Sequence, residues 1–158
     1  MLTFNHFNFN VSDLDKALQF YKDALDLEPV RRKEAADGSY VLVFLGDGKT
    51  DFQLELTWLR DHPQKYNLGE CEFHLALRAD DFEAAHARHE AMDCICFENP
   101  KWAFTSFRIR TDTGLRSSPP AEKVTYDAGI KHEKRNSRCK SNDLHLLFSG
   151  SNEPHLKW

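Results

Sequence analysis

Residues 3–25 read TFNHFNFNVSDLDKALQFYKDAL, and two periodicities meet within them. Phe7, Phe9 and Val11 alternate with His6, Asn8 and Asn10, the period of two expected of a strand with one polar face over residues 3–11. Ser12 then stands where a helix N-cap is expected, with Asp15 three residues on in a capping-box position. From there Leu14, Ala17, Leu18, Tyr21, Ala24 and Leu25 follow a helical spacing and form one apolar stripe. The helix is expected to end near Leu27, because the next pair is Glu28-Pro29 and a residue before proline disfavours the helical region.

Working outward, residues 31–33 make a weak strand, Asp37-Gly38 a turn, and residues 40–45 a strong strand of Val, Leu and Phe. After Gly46-Asp47-Gly48, residues 51–58 alternate Phe52, Leu54 and Leu56 with Gln53, Glu55 and Thr57. The unit is βαβββ. Beyond a polar loop at 60–70 the order restarts, with a strand over 72–78 containing His74. Asp80 is the expected N-cap of a helix over 81–92, and residues 94–97 form a further strand. The repeat implies an α+β fold of paired βαβββ modules, the first over 1–60 and the second over 70–120. From Trp102 the pattern weakens. Residues 108–113 give one short possible strand and 144–148 only a brief apolar island, so the second module is expected to lack its last two strands, with 121–158 a disordered tail.

Composition restricts the function classes. The 158 residues are 41% hydrophobic, enough for a packed core, and no apolar run reaches the length of a membrane helix or secretory signal. The four cysteines, Cys71, Cys94, Cys96 and Cys139, have no zinc-ribbon or redox spacing, which points to a reducing cytoplasm. The net charge of −4 conceals a reversal. Residues 1–101 carry eleven basic and nineteen acidic side chains, whereas 102–158 carry ten and six. The basic run 131–140 lacks interleaved aromatics, so no nucleic-acid or membrane partner is expected.

His6, Glu55 and His74 are the candidate chemical residues, each on a strand face opposite its Phe/Leu core. Two imidazoles and a carboxylate on rigid strands suit a borderline divalent metal. Spacing alone leaves open that they are ordinary strand histidines and a solvated glutamate. His86-x-x-His89 reads as a solvated helix face, and Cys94-x-Cys96 as small core residues.

The run Val11-Ser12-Asp13-Leu14 through Phe20-Tyr21, the stretch Leu54-Glu55-Leu56-Thr57, and Tyr66-Asn67-Leu68-Gly69 followed by Phe73-His74-Leu75-Ala76-Leu77 together resemble the glyoxalase I (lactoylglutathione lyase) family. The resemblance runs from Phe4 to about Lys101. It implies the vicinal-oxygen-chelate fold and a divalent metal, nickel or cobalt favoured and zinc allowed. His6, Glu55 and His74 would supply three of its four protein ligands, with Glu55 also a candidate catalytic base. It further implies a homodimer that shares its sites and isomerises methylglyoxal–thiol hemithioacetals. Another enzyme of the same fold (an epimerase, dioxygenase or thiol transferase) and a non-catalytic small-molecule binder are the alternatives.

Two departures accompany the resemblance. Glutathione-using members carry an arginine four residues after the first histidine ligand and an asparagine four after the glutamate; Asn10 and Leu59 stand there, so the thiol is open. The fourth ligand, a glutamate within a DPDGYxIE strand, is absent, and Arg116 occupies its register. Reading permitted codons for residues 102–119 one base earlier, however, yields MGIYFIPDPDGYWIEIVP. A one-base frameshift near Lys101/Trp102 therefore accounts both for the missing glutamate and for the charge reversal, and implies an impaired enzyme.

Overall fold

The computed structural model describes residues 1–67, 74–99, 104–109 and 144–150. Strand β1 (His6–Val11) leads into helix α1 (Leu14–Leu25), then β2 (Glu28–Glu34), β3 (Tyr40–Gly46) and β4 (Gln53–Leu59). The order repeats as β5 (His74–Ala79), α2 (Phe82–Ala91), β6 (Ile95–Asn99), β7 (Phe104–Ile109) and β8 (Leu144–Gly150). Each sheet has four strands, ordered β1-β4-β3-β2 and β5-β8-β7-β6, and in each the first strand pairs in parallel with the last. The paired βαβββ architecture is present.

The second module departs from expectation. The two strands the sequence does not announce are formed, and β8 comes from within the segment expected to be a tail. An unpaired β5 would leave a row of unsatisfied backbone groups, and the apolar island at 144–148 offers a β-prone partner. The remainder of 121–158, Arg116 and the basic run 131–140 lie outside the described residues.

Both helix caps fall one residue later than expected. Asp13, not Ser12, is the N-cap: it is extended (φ −135°, ψ 102°), and its carboxylate accepts the Lys16 N–H at 3.1 Å. Likewise Asp81, not Asp80, accepts from the Ala84 N–H at 2.9 Å. Helix α1 stops at Leu25, two residues early, because Asp26 enters the left-handed region (φ 55°) and turns the chain so that Leu27 is buried.

The core lies between α1 and the inner face of the first sheet. Tyr21, Val11, Val43, Leu45 and Leu56 are almost wholly buried there, each aliphatic contributing roughly 1.5–3 kcal/mol by leaving water. Burial also pushes the Tyr21 phenol far above its usual range. Cys94 is a buried free thiol, as expected of a small core residue. His89 is not on a solvated face: it is fully buried, and its Nε2 donates to the Ala24 carbonyl at 2.8 Å, joining α2 to α1. Arg88 pairs with Asp26 beside it, and Lys49 with Asp80 makes a second link between the modules. Among the described residues no helix is long and apolar enough to cross a membrane.

Candidate metal centre

In the parallel pair β1–β4, His6 faces Gln53, Asn8 faces Glu55 and Asn10 faces Thr57. Directly opposed residues share a face of the sheet, so the polar side chains of both strands emerge together, away from the α1 core. His6 opens β1 rather than lying mid-strand, and Glu55 is third in β4. The Glu55 side chain is only 12% exposed, against 38% for His6.

His6 Nε2 lies 3.1 Å from Glu55 Oε2. The other ring nitrogen, Nδ1, is 2.6 Å from the Asn5 side-chain oxygen, an acceptor, so Nδ1 carries a proton and donates. Either a proton on Nε2, which makes the contact an ion pair, or a cation held between the two atoms satisfies this approach. Two ligand atoms about 2.1 Å from one ion, at an angle of about 90–100°, are about 3.0–3.2 Å apart. The observed separation matches, so this pair fits two adjacent ligands of a divalent metal.

The second carboxylate oxygen is held by the protein. Asn8 Nδ2 donates to Glu55 Oε1 at 3.2 Å and to Thr57 Oγ1 at 2.6 Å, and Thr57 Oγ1 donates to Oε1 at 3.1 Å. These donors orient the carboxylate and direct Oε2 towards His6, the function of outer-shell groups at metal sites. Asn8 and Thr57 did not stand out in the sequence as site residues. The signal was the period of two, which places Asn8 two residues after His6 and Thr57 two after Glu55.

His74 does not join them within one chain. It is exposed at the start of β5, and among the described residues no three His, Cys, Asp or Glu side chains cluster to hold a metal. The second sheet's register also has a gap. The position that Glu55 occupies opposite Asn8 corresponds, two residues beyond His74, to Leu147 opposite Ala76. Leucine has no ligating atom.

Residues 3–110 match the family model described as Glyoxalase/Bleomycin resistance protein/Dioxygenase superfamily. The chain belongs to this superfamily. Among curated members of the glyoxalase superfamily, it is 41% identical over 80 residues to a probable lactoylglutathione lyase of Synechocystis sp. That match covers 48% of this chain and 59% of the relative. It is 37% identical over 83 residues to the lactoylglutathione lyase of Haemophilus influenzae, covering 50% and 59%. The matched stretch thus spans less than two thirds of these relatives. Of solved glyoxalase-fold structures, the trypanothione-dependent glyoxalase I of Leishmania major aligns with a TM-score of 0.66 at 18% identity. That alignment covers 95% of this chain and 87% of that one, a likeness of fold.

Proposed function

We propose that this chain is an impaired metal-dependent isomerase of methylglyoxal–thiol hemithioacetals, a lactoylglutathione lyase in reaction class. The observation that carries the reading is the His6 Nε2–Glu55 Oε2 pair, set at the separation of two ligands on one ion. The curated lyases that match at 37–41% identity support it. A bound divalent ion, nickel or cobalt favoured and zinc allowed, supplies Lewis-acid stabilisation of charge developing on the substrate's adjacent oxygens.

This chain's own residues do the remainder. His6 and Glu55 are the first-module ligands, and a second copy of the chain, in a homodimer, supplies His74. The Glu55 carboxylate takes the proton from one hemithioacetal carbon and returns it to the neighbouring carbon, while Asn8 and Thr57 hold its other oxygen in place. Impairment follows from the second module, where a carboxylate ligand and an alternative base are missing and Leu147 stands at the register of Glu55. The buried free thiol of Cys94 suits a reducing cytoplasm.

The test uses two chains loaded with nickel or cobalt: the chain as written, and one in which residues 102–158 are replaced by MGIYFIPDPDGYWIEIVP. The restored chain is expected to turn over methylglyoxal–thiol adducts and the chain as written to show little activity. A restored chain inert on every adduct overturns the isomerase; normal turnover by the chain as written overturns the impairment.

A further inference from the structure

Across the first sheet the register lines up four residues from four strands. Asn8 faces Glu55, Glu55 faces Phe44, and Phe44 faces Arg31. They form one transverse row on the face that carries His6. An irregularity between Pro29 and Arg31 inserts Val30 into β2, so that a cation rather than a valine stands opposite Phe44. Arg31 Cζ lies 3.6 Å over the centre of the Phe44 ring, and the same ring meets the His6 imidazole edge-on at 5.6 Å. Phe44 is buried and is therefore a fixed platform shared by the guanidinium and the imidazole.

On the opposite face of β2, Arg32 pairs with Glu34; Glu28, at the start of the strand, pairs with Lys22. Among the described residues no ion pair engages Arg31. Stacking occupies a face of the guanidinium but leaves its N–H groups, which lie in the plane, free to grip a carboxylate. Lys33 follows two residues later on the same face.

We propose that Arg31, stacked on Phe44 beside the His6–Glu55 pair, binds a carboxylate of the thiol portion of the ligand and makes the site selective for anionic thiols. The proposal rests on the reading of this face as the thiol-adduct site.

Titration calorimetry with S-methylglutathione, a non-reacting carboxylate-bearing thioether, and with its diethyl ester tests it on the full chain without turnover. Arg31→Ala is expected to weaken binding of the free acid by about two- to fivefold, the scale of an exposed charge pair, and to leave the ester unchanged. Arg31→Lys keeps part of the affinity, and Arg32→Ala, on the opposite face, keeps all of it. Thermal melts of each variant confirm folding. Equal losses on acid and ester, no loss on the acid, or a wild-type chain that binds neither ligand would each overturn the proposal. Failure of the isomerase reading shows separately, as absent turnover by the restored chain.

Discussion

The two modules share a strand order and a parallel first–last pair, but the rows across those pairs differ. In the first they read His6/Gln53, Asn8/Glu55 and Asn10/Thr57; in the second, His74/His145, Ala76/Leu147 and Arg78/Ser149. The first module therefore places an imidazole beside a carboxylate and surrounds that carboxylate with hydrogen-bond donors. The second retains its histidine and has no acid at the matching position. Backbone pairing accepts any β-prone apolar strand, so Leu144–Gly150 can complete the sheet. Ligation accepts only residues with the right atoms, so the same strand cannot complete the site. In this chain topology and chemistry separate at one strand.

The largest effect that would sharpen this contrast is on Glu55. In the frame-restored chain Glu55→Gln is expected to lower turnover of the methylglyoxal–thiol adduct by about 10²–10⁴-fold, the usual contribution of a positioned base. Steady-state rates near those of the unsubstituted restored chain would remove Glu55 from the chemistry. Asn8→Ala is expected to weaken nickel binding by about 10–100-fold in competition with a coloured chelator, the typical consequence of losing an outer-shell partner. The melting temperature should hardly move, since Asn8 is exposed. Unchanged affinity would mean that Glu55 needs no support.

A smaller effect concerns how the modules are joined. Burial, with Arg88 and His86 adding to it, holds the His89 imidazole below its usual value of 6.5, against the opposing influence of the Ala24 carbonyl. The unfolded chain therefore binds a proton that the folded chain refuses. Stability is full above about pH 6.5 and declines as the pH falls, with a limiting slope of about 1.4 kcal/mol per pH unit. Denaturant melts between pH 7.5 and 5.5 should show a steeper decline for the wild type than for His89→Gln. Parallel curves would contradict a buried neutral histidine at the α1–α2 contact.

Much of this was legible in the residues. Alternation from His6 to Val11, a 3.6-residue stripe from Leu14 to Leu25 and their repetition after residue 70 specify the modules, because those periods are imposed by burial on one face. The caps were displaced by one because Ser12-Asp13 and Asp80-Asp81 each offer two adjacent acceptors, and backbone geometry selects the second. The last strand was hidden because a parallel partner for β5 is chosen across a long stretch of chain, where local pattern carries little weight. His89 was misread because its burial depends on α1, an element from the other module. His6 and Glu55 were visible as candidates from their strands, whereas the hydrogen bonds of Asn8 and Thr57 to Glu55 emerge only once the register is known. Re-sequencing the gene across codons 99–105 locates the shift and bears on the missing glutamate: an alternate frame that cannot encode DPDGY over codons 109–113 would exclude the frameshift.

Metal content tests the contrast between the modules most directly. Both the chain as written and the restored chain should be saturated with nickel, passed over a desalting column and analysed by elemental mass spectrometry. The account predicts well below stoichiometric nickel in the chain as written and stoichiometric nickel in the restored chain, lost again in its His6→Gln variant. Stoichiometric, tightly held nickel in the chain as written would contradict it.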